Sequence, residues 1–286
     1  MVKKALVLSG GGARGGAHVG VIKALEEIGF IPDMIVGVSM GATVGAGYAV
    51  LKDSEKLWEY SEMVYKKGRK PVVELGEILS GNFPGILKYL GCLYMLNKKS
   101  VFSKKAYFRI FERIFANYRF EDLQIEFYCI SADLMTGELV IHSSGKLSTA
   151  LIASMAIPGL FPPVEIDGRK LVDGGTLNNL PCSVAKNLGA EYIVAVDLSA
   201  DSGNIPKRTS SEVMLFVNSL KNQKVLEKER NLANILLRPP VAHIGSLSFN
   251  RSLEAMKLGY EYAKNFLTKS LFAGCSDEKD HTQGHS

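Results

Sequence analysis

Met34-Ile35-Val36-Gly37-Val38-Ser39-Met40-Gly41-Ala42-Thr43-Val44-Gly45-Ala46 sets an apolar run against a run of small residues, with one serine at the junction. The apolar run suits a buried strand, and the small residues after Ser39 suit a helix packed closely on a sheet. G-x-S-x-G, at Gly37, Ser39 and Gly41, then marks either a nucleophile at a strand-to-helix elbow or a serine in a glycine-rich turn. An elbow needs a strand before, a helix after, and glycines on both sides to admit its cramped backbone. Gly37 and Gly41 meet that need, and a helix N-terminus just beyond Ser39 favours negative charge developing there.

Upstream, Lys4 to Ser9 reads as a buried first strand and Gly10 to Gly16 as its turn. Ala17 to Ile28 repeats apolar residues at helical spacing (Val21, Ala24, Leu25, Ile28) and stops at Gly29. This βαβα opening implies a parallel sheet covered on both faces. Downstream, Phe127 to Asp133 reads as a strand with Gly137 to His142 as its hairpin partner, and Ser148 to Ile157 as a helix ended by Pro158-Gly159. Val164 to Asp173 alternates about Asp167-Gly168, a strong hairpin signal. Tyr192 to Asp197 is a further buried strand, and Val213 to Glu229 and Leu253 to Phe266 are expected helices.

Between Gly68 and Phe120 the alternation lapses into apolar clusters broken by Gly-Asn-Phe-Pro-Gly, which reads as a lid or substrate-selecting insertion, or as a second small core. The expected organisation is one catalytic unit over 4–270, with 68–120 inserted and a polar, disordered tail over 271–286.

A chain of 286 residues, 47% of them hydrophobic, can bury a large core. The apolar stretch after Met1-Val2-Lys3-Lys4 is cut short by Ser9-Gly10-Gly11-Gly12, and no run reaches the roughly 18 to 20 apolar residues of a spanning helix. A cytoplasmic protein, peripheral to the membrane at most, is expected. Cys92, Cys129, Cys182 and Cys275 stand far apart without CxxC or a nearby histidine pair, so reduced cysteines are expected, not a disulfide framework or a zinc site. The net charge of +5 is unevenly spread: Lys52 to Arg119 holds 14 Lys plus Arg against 7 Asp plus Glu. Such a segment attracts phosphates, or is a solvated lysine-rich face.

A serine nucleophile needs an acceptor for its proton and donors for an oxyanion. The Ser9-Gly10-Gly11-Gly12-Ala13-Arg14-Gly15 turn supplies backbone N–H groups at a helix start. The same residues match G-x-G-x-x-G, but a dinucleotide site wants an acid at the end of the second strand, and Asp33 lies at its beginning. Among the histidines, His281 and His285 sit in the tail, His18 inside the first helix suits a loop-supporting role, and His142 ends a hairpin strand. His243 alone stands where a Ser, Asp, His order wants one. Leu171-Val172-Asp173-Gly174-Gly175 offers a carboxylate at a strand end followed by two glycines, either an Asp-Gly turn or a base whose pKa burial raises.

Together these motifs resemble the patatin-like phospholipase family. Gly10-Gly11-Gly12-Ala13-Arg14-Gly15 looks like its oxyanion loop, Gly37-Val38-Ser39-Met40-Gly41 its elbow, and Asp173-Gly174-Gly175 its catalytic aspartate motif. Ala153-Ser-Met-Ala-Ile-Pro-Gly-Leu-Phe-Pro-Pro163 and Asn178-Asn-Leu-Pro181 are also similar to family segments. The resemblance implies a three-layer α/β/α sandwich and a Ser39–Asp173 dyad with no catalytic histidine, metal or cofactor. It implies that backbone N–H groups near Gly11, Gly12 and Ala13 hold the oxyanion, while Arg14 braces the loop or meets a phosphate. The implied activity is lipid acyl hydrolysis, of phospholipase A or lysophospholipase type, on a phospholipid or other fatty-acyl ester. The 52–119 segment would touch an anionic membrane, and nucleic acid is not expected. Two other readings stand beside it: an esterase or thioesterase with a histidine-assisted triad through His243, and a non-catalytic nucleotide-binding or regulatory protein.

Overall fold

The computed structural model describes residues 2–67, 111–112, 114–199, 217 and 222–276. Most of the expected 68–120 insertion, with its apolar clusters and most of the basic residues counted between Lys52 and Arg119, lies outside the described residues. Among the described residues eight strands form one sheet: β1 (Lys4–Leu8), β2 (Met34–Val38), β3 (Glu126–Asp133), β4 (Leu139–His142), β5 (Val164–Ile166), β6 (Arg169–Asp173), β7 (Tyr192–Val196) and β8 (Ile235–Leu237). They run in the order β5-β6-β3-β2-β1-β7-β8, with β4 paired to β3. From β3 to β8 every pairing is parallel, whereas β4, β5 and β6 are antiparallel additions.

Alternation along the central strands builds two cores, since successive side chains leave a strand on opposite faces. Leu6, Leu8, Ile35, Val194 and Val196 face one core. Ala5, Val7, Met34, Val36, Ile193 and Ala195 face the other. β1 and β2 are therefore apolar at nearly every position, as strands covered on both sides must be. The first core carries α1 (Gly16–Glu27), α2 (Met40–Leu51), α3 (Ser54–Lys67), α4 (Leu147–Ser154) and α7 (Ser252–Ser276). The second carries α5 (Cys182–Asn187) and α6 (Gln223–Arg230). The result is the three-layer sandwich with a mostly parallel sheet.

α1 and α7 cross at near contact: a β-carbon on Gly20 would collide with the Met256 carbonyl, and one on Gly259 would lie 2.7 Å from Ala17 Cα. α7 runs to Ser276, beyond the expected stop at Phe266 and into the start of the expected polar tail. The hairpin β5–β6 turns on Asp167 and Gly168, at φ 50° and 76°, the left-handed pair of a type I′ turn. Cys129 and Cys182 are buried free thiols.

The register fixes where the loops meet. Leu8 pairs with Gly37, so the glycine turn after β1 and the elbow after β2 leave the sheet side by side. β3 pairs with β2 up to Val38–Ile130 and then with β6 from Ser131–Asp173. Asp173 is thereby brought to the end of β2, at the level of Ser39.

Candidate active site

Ser39 is the N-cap of α2, at φ 56° and ψ −126°. Positive φ is strained for a residue with a β-carbon, and such strain persists only where the surroundings enforce it. Here the close approach of the glycine turn does so, because a β-carbon on Gly41 would sit 2.5 Å from the Ser9 carbonyl oxygen. The side chain is 5% exposed. Its hydroxyl donates to Met155 Sδ at 3.8 Å and lies near enough to the Asp173 carboxylate to favour that group's charged form. A thioether is a weak acceptor, so the carboxylate governs the proton.

Asp173 closes β6 and caps the 3₁₀ turn Gly174–Thr176, accepting the Gly175 N–H on Oδ1 at 2.8 Å. Burial pushes its carboxyl up to about 6, against the opposing pull of the Ser39 hydroxyl and the Gly175 N–H, both of which favour the charged form. It therefore titrates near neutrality, where a carboxylate can both take and return a proton.

The glycine turn lies against both. A β-carbon on Gly10 would sit 3.3 Å from Ser39 Cβ and collide with Asn179 Oδ1. Gly12 has φ 56° and no room for a side chain, since the Ser246 carbonyl occupies that space. Of the residues in the expected oxyanion loop, Ala13 gives its N–H to the Ser246 carbonyl at 2.8 Å and Arg14 gives its own to the Gly11 carbonyl at 3.2 Å. Among the described residues Gly11 and Gly12 make no backbone N–H hydrogen bond, while Ala13 and Arg14 are engaged. Arg14 Nε returns to the Gly11 carbonyl at 3.3 Å, so its guanidinium braces the loop. Burial lowers its pKa, and the nearby Asp197 works the other way.

Supporting groups surround this pair. His18 is fully buried and donates Nε2–H to the Ser9 carbonyl at 2.7 Å, with burial pushing its pKa down to about 4. It holds the base of the glycine turn, as its place in α1 suggested. Asn179 bonds the Gly10 carbonyl through Nδ2 at 3.3 Å, and Asn178 is held by the buried Glu229 at 2.7 Å. Glu229 also accepts the Ser183 N–H and hydroxyl, tying the turn after Asp173 to α6.

Among the described residues no histidine hydrogen-bonds Ser39. His243 is half exposed and shares a hydrogen bond with Glu254 at 3.1 Å. His142 shares one with Ser131 at 2.8 Å and is pushed down to about 4 by burial and by Arg169. Asp33 sits at the opposite end of β2 from Ser39, accepting the Lys4 N–H at 2.7 Å, out of place for a ribose. Sequence reasoning left Ser154 and Ala156 without a role, although they touch Ser39 and Asp173 respectively. Only the quoted Ala153-to-Pro163 segment pointed there.

Residues 6–186 match the family model described as patatin-like phospholipase, more than half of the chain. The chain belongs to that family. Patatin-like relatives include the protein named lysophospholipase nte1 of Emericella nidulans, 33% identical over 293 residues, which cover 92% of this chain and 18% of that protein. The lysophospholipase nte1 of Aspergillus fumigatus is 33% identical over 307 residues, covering 97% and 19% respectively. The chain thus spans less than a fifth of the length of these curated relatives. The crystal structure of VipD from Legionella pneumophila aligns with 94% of this chain and 67% of its own, at TM-score 0.51 and 18% identity, a likeness of fold. Among the described residues no helix is long and apolar enough to cross a membrane.

Proposed function

We propose that this patatin-like chain is a lipid acyl hydrolase that cleaves carboxylic esters through Ser39 and Asp173. The observation that carries the reading is the junction itself: a strained, buried serine at a helix start, its hydroxyl beside a buried carboxylate whose pKa burial pushes up to about 6. Ser39 Oγ attacks the ester carbonyl while Asp173 takes its proton. The carbonyl oxygen becomes an oxyanion held by the Gly11 and Gly12 N–H groups, with the N-terminus of α2 adding favourable field. Collapse breaks the ester C–O bond, and Asp173 returns the proton to the leaving alkoxide. Asp173 then takes a proton from water, which attacks the acyl–Ser39 ester, and the fatty acid departs as Ser39 recovers its hydrogen. One carboxylate serves both half-reactions.

The names of the relatives support a lysophospholipid or phospholipid as the substrate. The excess positive charge of 52–119 supports anionic headgroups as its contact. In the described part of that segment Lys56 pairs with Asp53 at 3.1 Å and Lys66 with Glu62 at 2.7 Å, so the surplus lies in the remainder.

The test is fatty-acid release from lysophosphatidylcholine and from mixed anionic phospholipid vesicles by wild type, Ser39→Ala and Asp173→Asn, each checked for folding by circular dichroism. Release by wild type alone is expected. Release by a folded Ser39→Ala would overturn the reading.

A further inference from the structure

Ser154 and Ala156 stand two residues apart, and each holds one member of the Ser39–Asp173 pair. Ser154, fully buried at the end of α4, accepts the Ser39 backbone N–H on Oγ at 3.0 Å. Ala156 accepts the Asp173 backbone N–H on its carbonyl at 3.0 Å. Met155, between them, turns its Sδ toward the Ser39 hydroxyl.

The chain around these atoms is fixed by its own bonds. Met155 makes the last helical bond, to the Leu151 carbonyl at 3.0 Å, and Ala156 N–H tightens onto Ala153 at 3.1 Å. Pro158 has no N–H and disfavours helical backbone at Ile157, so α4 cannot continue. The Leu160 and Phe161 N–H groups both return to the Ile157 carbonyl, at 3.1 and 2.9 Å, which closes the exit into a compact turn. Ser154 Oγ and the Ala156 carbonyl are therefore held at a set spacing, and that spacing is imposed on the nucleophile and its base.

We propose that Ser154 is a positioning residue for the hydrolysis: by accepting the nucleophile's backbone N–H, it locks the strained elbow at the distance from Asp173 that Ala156 fixes from the other side. This rests on the reading of Ser39 and Asp173 given above. Among the described residues the Ser39 N–H has no other acceptor. Without Ser154 it becomes a buried donor without a partner at a backbone conformation that is already strained, and the elbow relaxes. A displacement of about 1 Å is enough to spoil a catalytic alignment.

The experiment measures kcat, KM and the pH profile of the full chain on the soluble ester p-nitrophenyl butyrate for wild type, Ser154→Ala, Ser154→Cys and Ser39→Ala. Ser154→Ala is expected to lower kcat at least about tenfold with KM within about twofold, the pattern of a lost alignment. Its acid limb is expected to move to higher pH, because a weakened Ser39 hydrogen bond removes one of the two interactions that keep Asp173 charged. Ser154→Cys keeps the volume but offers a weak sulfur acceptor, so it is expected to behave like Ser154→Ala and decides the matter if the alanine variant does not fold. A wild-type kcat, an unmoved acid limb, or a loss that merely tracks the unfolded fraction overturns the proposal. Activity retained by Ser39→Ala would instead overturn the dyad reading itself, whatever Ser154 does.

Discussion

At Asp173 burial and catalysis pull in opposite senses, and the sign of each can be worked out. Its folded pKa of about 6 lies above the unfolded value near 4, so the folded state holds more protons in between. Asp173 therefore favours folding below pH 4 and costs stability as pH rises through 4 to 6. Asp173→Asn, which still accepts the Gly175 N–H, is expected to raise Tm by a few degrees at pH 7.5 and by nothing at pH 4, read by calorimetry. Activity needs the carboxylate ionised, so kcat/KM is expected to fall as pH drops through about 6, read from initial rates. His18 has the reverse shift: its folded pKa of about 4 lies below the unfolded value near 6.5. Stability from the neutral ring is present above pH 6.5 and is lost as pH falls toward 4. His18→Ala is expected to lower Tm at pH 7.5 and to narrow its deficit at pH 5.

At the scale of elements, the glycine turn and the α1–α7 crossing depend on missing side chains. Gly12→Ala adds a β-carbon against the Ser246 carbonyl at a positive φ, so the turn must shift with its free N–H groups. A kcat loss on the order of 10²-fold is expected, with the fold retained by circular dichroism. Gly259→Leu forces α7 off Ala17 and is expected to cost about 1–3 kcal/mol in urea unfolding, without reaching Ser39. Strong local periods made β1, α1, β2 and the Asp167-Gly168 hairpin legible in the sequence. α5 and β8 were not, because elements of six and three residues hold less than two periods of any pattern. The glycine-rich turn was legible as a source of backbone N–H groups, but that Ser246 takes the Ala13 N–H from far along the chain was not. Ser154 gave no periodic signal, since a hydroxyl accepting a backbone N–H looks like any serine near a helix end.

For the whole molecule, one sheet register does the assembling. Ser39 and Asp173 lie far apart in sequence and meet because β3 pairs first with β2 and then with β6. The motif spacing foretold their company, and only the antiparallel addition of β6 explains it. Binding of the full chain to anionic vesicles is expected to weaken steeply between 50 and 500 mM salt if the 52–119 charge makes the contact, as co-sedimentation would show; salt-independent binding would exclude that route. The central claim is that Ser39 is made nucleophilic by Asp173, and mass spectrometry after reaction with a fluorophosphonate probe tests it most directly. A single adduct mapped to Ser39, formed more slowly as pH falls below 6 and nearly abolished in folded Asp173→Asn, is the expected result. An adduct on another residue, or wild-type labelling in Asp173→Asn, would contradict it.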